Sequence, residues 1–177
     1  MNGTVRLETE RLVLRQHAIE DADTLYAHFG TDEKMFEYSG WNPYATPEMA
    51  RATVQRFIDS YADAHFFGWA IEADDQLIGT VGAYDYDAEQ SCIEIGLSID
   101  RAHWGKGYAT EAVQAVLAYL TGSQQIGTVT AWCASDNIGS KKAMEKCGMQ
   151  CTGVERGALT IGGKTFDKLN FAYTVEQ

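Results

Sequence analysis

Between residues 92 and 120 an alternating strand runs through a glycine-containing turn into the most regular amphipathic helix of the chain. In Cys92–Ile99 the apolar residues Ile93, Ile95, Leu97 and Ile99 alternate with Cys92, Glu94, Gly96 and Ser98, the period of a strand. From Gly107 to Leu120, Ala109, Ala112, Val113, Val116, Leu117 and Leu120 recur at helical spacing, and Gly122 can end the helix. A further strand over Thr128–Trp132 follows, so the passage reads as a βαβ crossover, which places two parallel strands side by side in one sheet.

The rest of the chain supplies partners for that unit. Val5–Arg15 is expected as a strand and Ile19–Phe29 as a short helix led by Asp21 and Asp23. Thr46-Pro47-Glu48 opens a second helix, with Thr46 as cap, Pro47 at the first helical position, and Met49, Val54, Phe57, Ile58 and Tyr61 as its apolar stripe. Phe66–Glu72 and Leu77–Tyr86 then form a meander with Cys92–Ile99, turning at Asp74-Asp75 and Asp87-Ala88-Glu89. Asn137–Cys147 reads as a helix stopped by Gly148, and strands near Met149–Arg156 and Lys164–Thr174 close the chain around a Gly162-Gly163 hairpin turn. The expected architecture is a single-domain α/β (α+β) fold over residues 1–177, a mixed, mostly antiparallel central sheet with helices on both faces.

Composition narrows the function. At 177 residues the chain can bury roughly 70% of its unfolded surface. A net charge of −11 argues against broad nucleic-acid binding, which needs cations to neutralise phosphates. The same charge would concentrate a cationic ligand, although solubility alone also explains it. Cys92, Cys133, Cys147 and Cys151 form no CxxC pair and have no histidine at zinc-ligand spacing, so reduced thiols and no metal are expected. The polar start and the lack of a run of about 20 apolar residues predict no membrane span and a cytoplasmic setting.

The turn Arg101–Gly107 carries the chemistry. Gly105 and Gly107 lack Cβ, so their backbone can bend tightly and approach a ligand, and the helix that follows offers unpaired amides at its positive end. Together these suit a diphosphate. A plain chain reversal is the competing reading, since the stretch is neither a P-loop nor a GxGxxG dinucleotide fingerprint.

At this point the sequence resembles the GNAT superfamily of N-acetyltransferases. Trp104–Ala109 follows the family's coenzyme A loop, R/Q-x-x-G-x-G/A, with Gly107 and Ala109 at the small positions and Trp104 replacing the usual Arg or Gln. That replacement, within WGKGYATEA, is similar to the branch of ribosomal-protein alanine N-acetyltransferases, as are LETERLVLR, IEIGLSI and NIGSKKAMEKCGM. The resemblance spans nearly the whole chain. It implies acetyl-CoA as acyl donor, with the backbone amides of Gly105, Lys106, Gly107, Tyr108, Ala109 and Thr110 on its pyrophosphate. It also implies that Leu97, Ser98 and Ile99 pair with the pantetheine arm like an added strand and polarise the thioester carbonyl. The Lys106 side chain either nears a phosphate or is a solvated surface lysine.

An amine attacks a thioester only as the free base, so a base must take its proton. Glu94 points away from the aliphatic face of its strand, where a carboxylate needs a partner or a cleft. The resemblance implies a general base there, while a salt-bridged structural glutamate is the alternative. Asn137 reads locally as a helix cap with Ser140 in the first turn. By resemblance, the Asn137 amide contacts pantetheine and Ser140 lies near the sulfur, able to protonate the departing thiolate. The family's usual tyrosine for that step is absent here, so water is the other candidate. Tyr38, Trp41 and Tyr44, with Tyr84 and Tyr86, are candidates for walling an acceptor pocket or plugging the core. The expected reaction is acetyl transfer to a primary amine, on a protein N-terminus or a small molecule, by direct attack in a ternary complex. A non-catalytic acyl-CoA-binding module is the alternative. The oligomeric state stays open, a homodimer included.

Overall fold

The computed structural model describes residues 1–175. Eight strands form one sheet in the order β1-β2-β3-β4-β5-β6-β8-β7. They are β1 Leu7–Glu8, β2 Leu12–Arg15, β3 Phe67–Ala73, β4 Gln76–Asp87, β5 Cys92–Ile99, β6 Thr128–Ala134, β7 Gln150–Ile161 and β8 Lys164–Thr174. Every neighbouring pair is antiparallel except β5 and β6. The mixed, mostly antiparallel sheet expected from the sequence is therefore the one observed.

Four helices cover it: α1 Asp21–Leu25, continued by a π turn Tyr26–Gly30; α2 Pro47–Ser60; α3 Tyr108–Ala118, continued by a π turn Tyr119–Ser123; and α4 Ile138–Lys146. Odd residues of β5 pack with Ala112, Val113, Val116 and Leu117 of α3 and Met144 of α4 in the main core. α1 and α2 close a second cluster around Leu25, Phe29, Tyr44 and Val54. The caps are local chemistry: Thr46 Oγ1 accepts from the Met49 amide at 3.1 Å, and Asn137 Oδ1 accepts from the Ser140 amide at 3.2 Å. No helix among the described residues is long and apolar enough to cross a membrane.

Two expectations need correction. Val5–Arg15 is not one strand. It folds back on itself, so that Leu7 pairs with Leu14 and Glu8 with Val13. The turn is fixed by Thr9, whose hydroxyl accepts from the Leu12 amide at 3.0 Å. Met49 does not belong to the buried stripe of α2: it is exposed, and Ala50, Thr53 and Val54 are buried instead.

Candidate active site

The parallel strands β5 and β6 pair only over Cys92–Glu94 and Thr128–Thr130. Beyond Glu94 they separate. Ile95–Ile99 keeps β4 on one side and Ala131–Ala134 keeps β8 on the other, but neither has the other. A sheet interior thus exposes two facing rows of backbone N–H and C=O groups across a widening gap, groups that must find partners in solvent or in a ligand. Both strands end at the same side of the sheet, β5 leading into α3 and β6 into α4. Ligands of parallel strands collect at such carboxyl ends.

The turn after β5 is built to leave amides free. Asp100, 2% exposed, accepts from the backbone amide of His103 at 3.1 Å, and its two carboxylate oxygens meet the Nδ1 atoms of His103 and His28. Trp104, standing where the family carries Arg or Gln, donates from Nε1 to the Ile99 carbonyl at 2.6 Å and so ties the turn back to the strand. Gly105 and Gly107 then take φ of +73° and +82°, a region that side chains disfavour. Gly107 is the N-cap of α3 and has no side chain to fill it, so the first-turn amides of Tyr108, Ala109 and Thr110 keep their donors.

A clamp from the other end of the chain holds this turn. Arg11 donates from Nη1 to the Lys106 carbonyl at 2.8 Å and from Nε to Glu111 Oε2 at 2.7 Å, with its guanidinium 4.5 Å from the Tyr108 ring centre. The Thr9 hydroxyl and the Arg11 amide donate to Glu111 Oε1 at 2.6 and 2.9 Å. Burial works against ionising Glu111, and these donors outweigh it, so its carboxyl stays below the ordinary value. The Lys106 side chain is exposed. A groove of about 830 Å³ runs outside α3 and touches the turn through Gly107, Thr110 and Glu111; it is open surface beside the clamp and not the gap between β5 and β6.

The other face of the gap carries Glu94, in register with Tyr84 on β4. Burial raises its carboxyl above the ordinary value, opposed by the charge of Lys168 and the polar N–H of the nearby Trp132 indole, with Asp85 adding to the rise. Tyr84 reaches over β5 until its hydroxyl lies 2.5 Å from where a Cβ on Gly96 would stand, so a side chain at Gly96 would push the Tyr84 ring aside. Burial, with Glu94 and Asp85, pushes this phenol up to about 12 and keeps it protonated. Lys168 Nζ lies 5.2 Å from the Trp132 ring centre.

The sequence-derived residues divide accordingly. Glu94 and Leu97–Ile99 share β5, Gly105–Thr110 form the turn at its end, and Asn137 and Ser140 open α4 at the end of β6. The aromatic candidates scatter. Tyr44 is buried against Phe29, Tyr38 packs edge-on to Phe166, Tyr86 stacks near His65, Trp41 is 65% exposed, and only Tyr84 lies beside Glu94. Thr9, Arg11, Glu111, Trp132 and Lys168 were not anticipated. Their contacts join segments distant in the chain, which local pattern does not reveal.

Comparison with known proteins identifies the family. The family model of the acetyltransferase (GNAT) domain matches residues 11–150. The chain is 32% identical over 163 residues to the uncharacterised N-acetyltransferase YoaA of Bacillus subtilis, covering 91% of this chain and 92% of that one. It is 32% identical over 168 residues to the uncharacterised N-acetyltransferase p20 of Bacillus licheniformis, covering 94% of each. Among solved structures it is similar to RimL, a ribosomal L7/L12 alpha-N-protein acetyltransferase in complex with coenzyme A, with a TM-score of 0.87 at 18% identity over 97% of this chain and 98% of that one. A GNAT-family acetyltransferase from Bacillus anthracis matches with a TM-score of 0.83 at 24% identity, covering 96% and 98%. The chain belongs to the GNAT family and is an acetyl-CoA-dependent acetyltransferase.

Proposed function

We propose that residues 1–177 form one N-acetyltransferase domain that moves an acetyl group from acetyl-CoA to a primary amine by direct attack within a ternary complex. The observation that carries this reading is the unpaired edge of β5 opening onto the uncapped amides of α3, with Glu94 on the same strand. An extended, amide-bearing arm ending in a diphosphate satisfies both sets of groups at once. The amides of Gly105–Thr110 hold the diphosphate, and Leu97–Ile99 pair with the pantetheine arm and polarise the thioester carbonyl. Asn137 adds an amide contact from the start of α4.

The acceptor arrives as an ammonium, and Glu94 takes its proton. The raised carboxyl of Glu94 fits a base that must hold that proton while the nitrogen lone pair adds to the carbonyl carbon. A β5 amide stabilises the resulting oxyanion. The carbon–sulfur bond then breaks, and the thiolate takes a proton from the Ser140 hydroxyl or from water. The fold likeness to RimL favours a protein N-terminus as acceptor, and the acidic chain suits any cationic amine, small molecules included. A cytoplasmic location accompanies this reading.

Calorimetry with acetyl-CoA and acceptor-dependent release of free thiol across an amine panel test it. Glu94→Gln is expected to lower turnover by about 10²–10⁴-fold near neutral pH, with partial rescue at higher pH and unchanged acetyl-CoA affinity. An unaltered pH–rate profile removes Glu94 as the base. No detectable association with any acyl-CoA removes the whole reading.

A further inference from the structure

The protein carries a primary amine of its own on the face of the sheet that bears Glu94. Lys168 pairs with Ala134 of β6 and with Glu155 of β7, at the end of the stretch where β6 has parted from β5. Its Nζ stands over the Trp132 ring at 5.2 Å, and Trp132 lies two residues along β6 from Thr130, the register partner of Glu94. Strand alternation puts ammonium, aromatic platform and carboxylate on the same face of the sheet, with Trp132 between the two charges. A purely structural lysine should be tied down, and Lys168 is not. Its only ion pair among the described residues, to Glu155 Oε2, is long at 3.7 Å, and that same oxygen already accepts from Asn170 Nδ2 at 2.8 Å. Loose, solvent-facing pairs of this kind contribute little, so the flexible stem can leave Glu155 at small cost.

We propose that Lys168 is a self-acetylation site, acetylated by the chain's own acetyl-CoA when no external amine occupies the cleft. This rests on the reading of Glu94 as base and of the gap as the acetyl-CoA site. In the step, the Glu94 carboxylate takes a proton from the Lys168 ammonium, and the freed Nζ lone pair adds to the thioester carbon. The carbon–sulfur bond breaks as the amide forms, and the leaving thiolate is protonated. The products are Nε-acetyl-Lys168 and free coenzyme A, with one proton released overall and nothing oxidised. Neutralising Lys168 removes the cation that opposes burial at Glu94 and leaves Tyr84, Asp85 and Trp132 around it, with Glu155 beside the modified residue. The carboxyl of Glu94 then rises further, and the acid limb of turnover on external amines moves to higher pH. The modification therefore acts as a brake at the lower end of the working range.

The test is incubation of the full chain with acetyl-CoA alone, followed by intact mass and peptide mapping. One acetyl group per chain is expected on Lys168, at least tenfold faster than on any other lysine, with a rate independent of protein concentration. Glu94→Gln should slow this labelling at least tenfold while leaving slow background acetylation elsewhere, and Lys168→Arg should abolish it. The proposal is overturned if the wild type acetylates an external amine but Lys168 stays unlabelled, is labelled no faster than other lysines, or is labelled equally in Glu94→Gln. A rate that grows with protein concentration also overturns it, because acetylation between copies is then the route. A wild type that neither binds acetyl-CoA nor acetylates any amine overturns the underlying reading as well.

Discussion

Burial lifts the Glu94 carboxyl while Lys168 and the Trp132 indole pull it back, which leaves the group proposed as base somewhat above an ordinary carboxylate. The alternation in Cys92–Ile99 was enough to single Glu94 out, because strand geometry alone turns it away from the aliphatic face. Nothing in the alternation names Trp132 or Lys168, which reach Glu94 only because β6 and β8 lie next to β5. A second residue carries an environmental effect with a measurable consequence. His17 is buried beside Phe57, its Nδ1 paired with the Tyr61 hydroxyl at 3.1 Å and its Nε2 without a partner among the described residues. Burial pushes it down from 6.5 to about 4. The neutral ring is therefore the form the fold favours, and its contribution is complete above pH 6.5 and lost as pH falls from 6.5 toward 4. Two and a half units correspond to about 3 kcal/mol, so urea unfolding at pH 7 and at pH 4.5 should differ by an amount of that order. In His17→Gln the slope across this window should flatten. An unchanged slope would assign the acid sensitivity to other groups, although Asp21, whose carboxyl is held down, loses its contribution only below its ordinary value of 3.8.

At the scale of elements, what was readable had its cause within a few residues. Thr46-Pro47 starts α2, Asn137 starts α4, and Gly162-Gly163 turns the last hairpin at φ of +57° and +77°, all local chemistry. What the pattern missed has the opposite cause. Thr9–Arg11 breaks the first strand because its polar groups are captured by Glu111, 100 residues away from Arg11. The separation of β5 from β6 is equally silent in sequence, since the alternation of Cys92–Ile99 is the same where the strand is paired and where it is not. The clamp makes its own prediction. Glu111 joins the β1–β2 turn to the first turn of α3, so Glu111→Ala releases Arg11 and Thr9 and lets the Gly105–Gly107 turn relax. Losing one charge-assisted contact set should raise the KM for acetyl-CoA roughly tenfold, about 1.4 kcal/mol, with a smaller change in kcat. Equal losses in kcat and kcat/KM at unchanged KM would show that the clamp serves the chemical step rather than donor binding.

For the whole molecule, the sheet order sets where charge can act. β5 and β6 bring the starts of α3 and α4 together, and with them Lys106, Lys141 and Lys142, while the chain as a whole carries −11. These lysines thus lie near the turn proposed for the anionic donor. The side of the gap proposed for the acceptor, by contrast, has Asp85 near Glu94, and Glu155 stands close to Lys168. A cationic amine should be drawn to that side by a long-range field, and such fields are screened over about 10 Å at 0.1 M salt. With acetyl-CoA saturating, kcat/KM for an amine that is protonated at the working pH should fall roughly tenfold between low and moderate ionic strength. An acceptor of low basicity, neutral at the same pH, should show little change, because it feels no such attraction. Ionic strength should leave kcat itself nearly constant for both, since the field acts on encounter and not on the attack within the ternary complex. If the two acceptors respond alike, the acidity of the chain serves solubility, and recognition of the amine lies wholly in contacts within the gap.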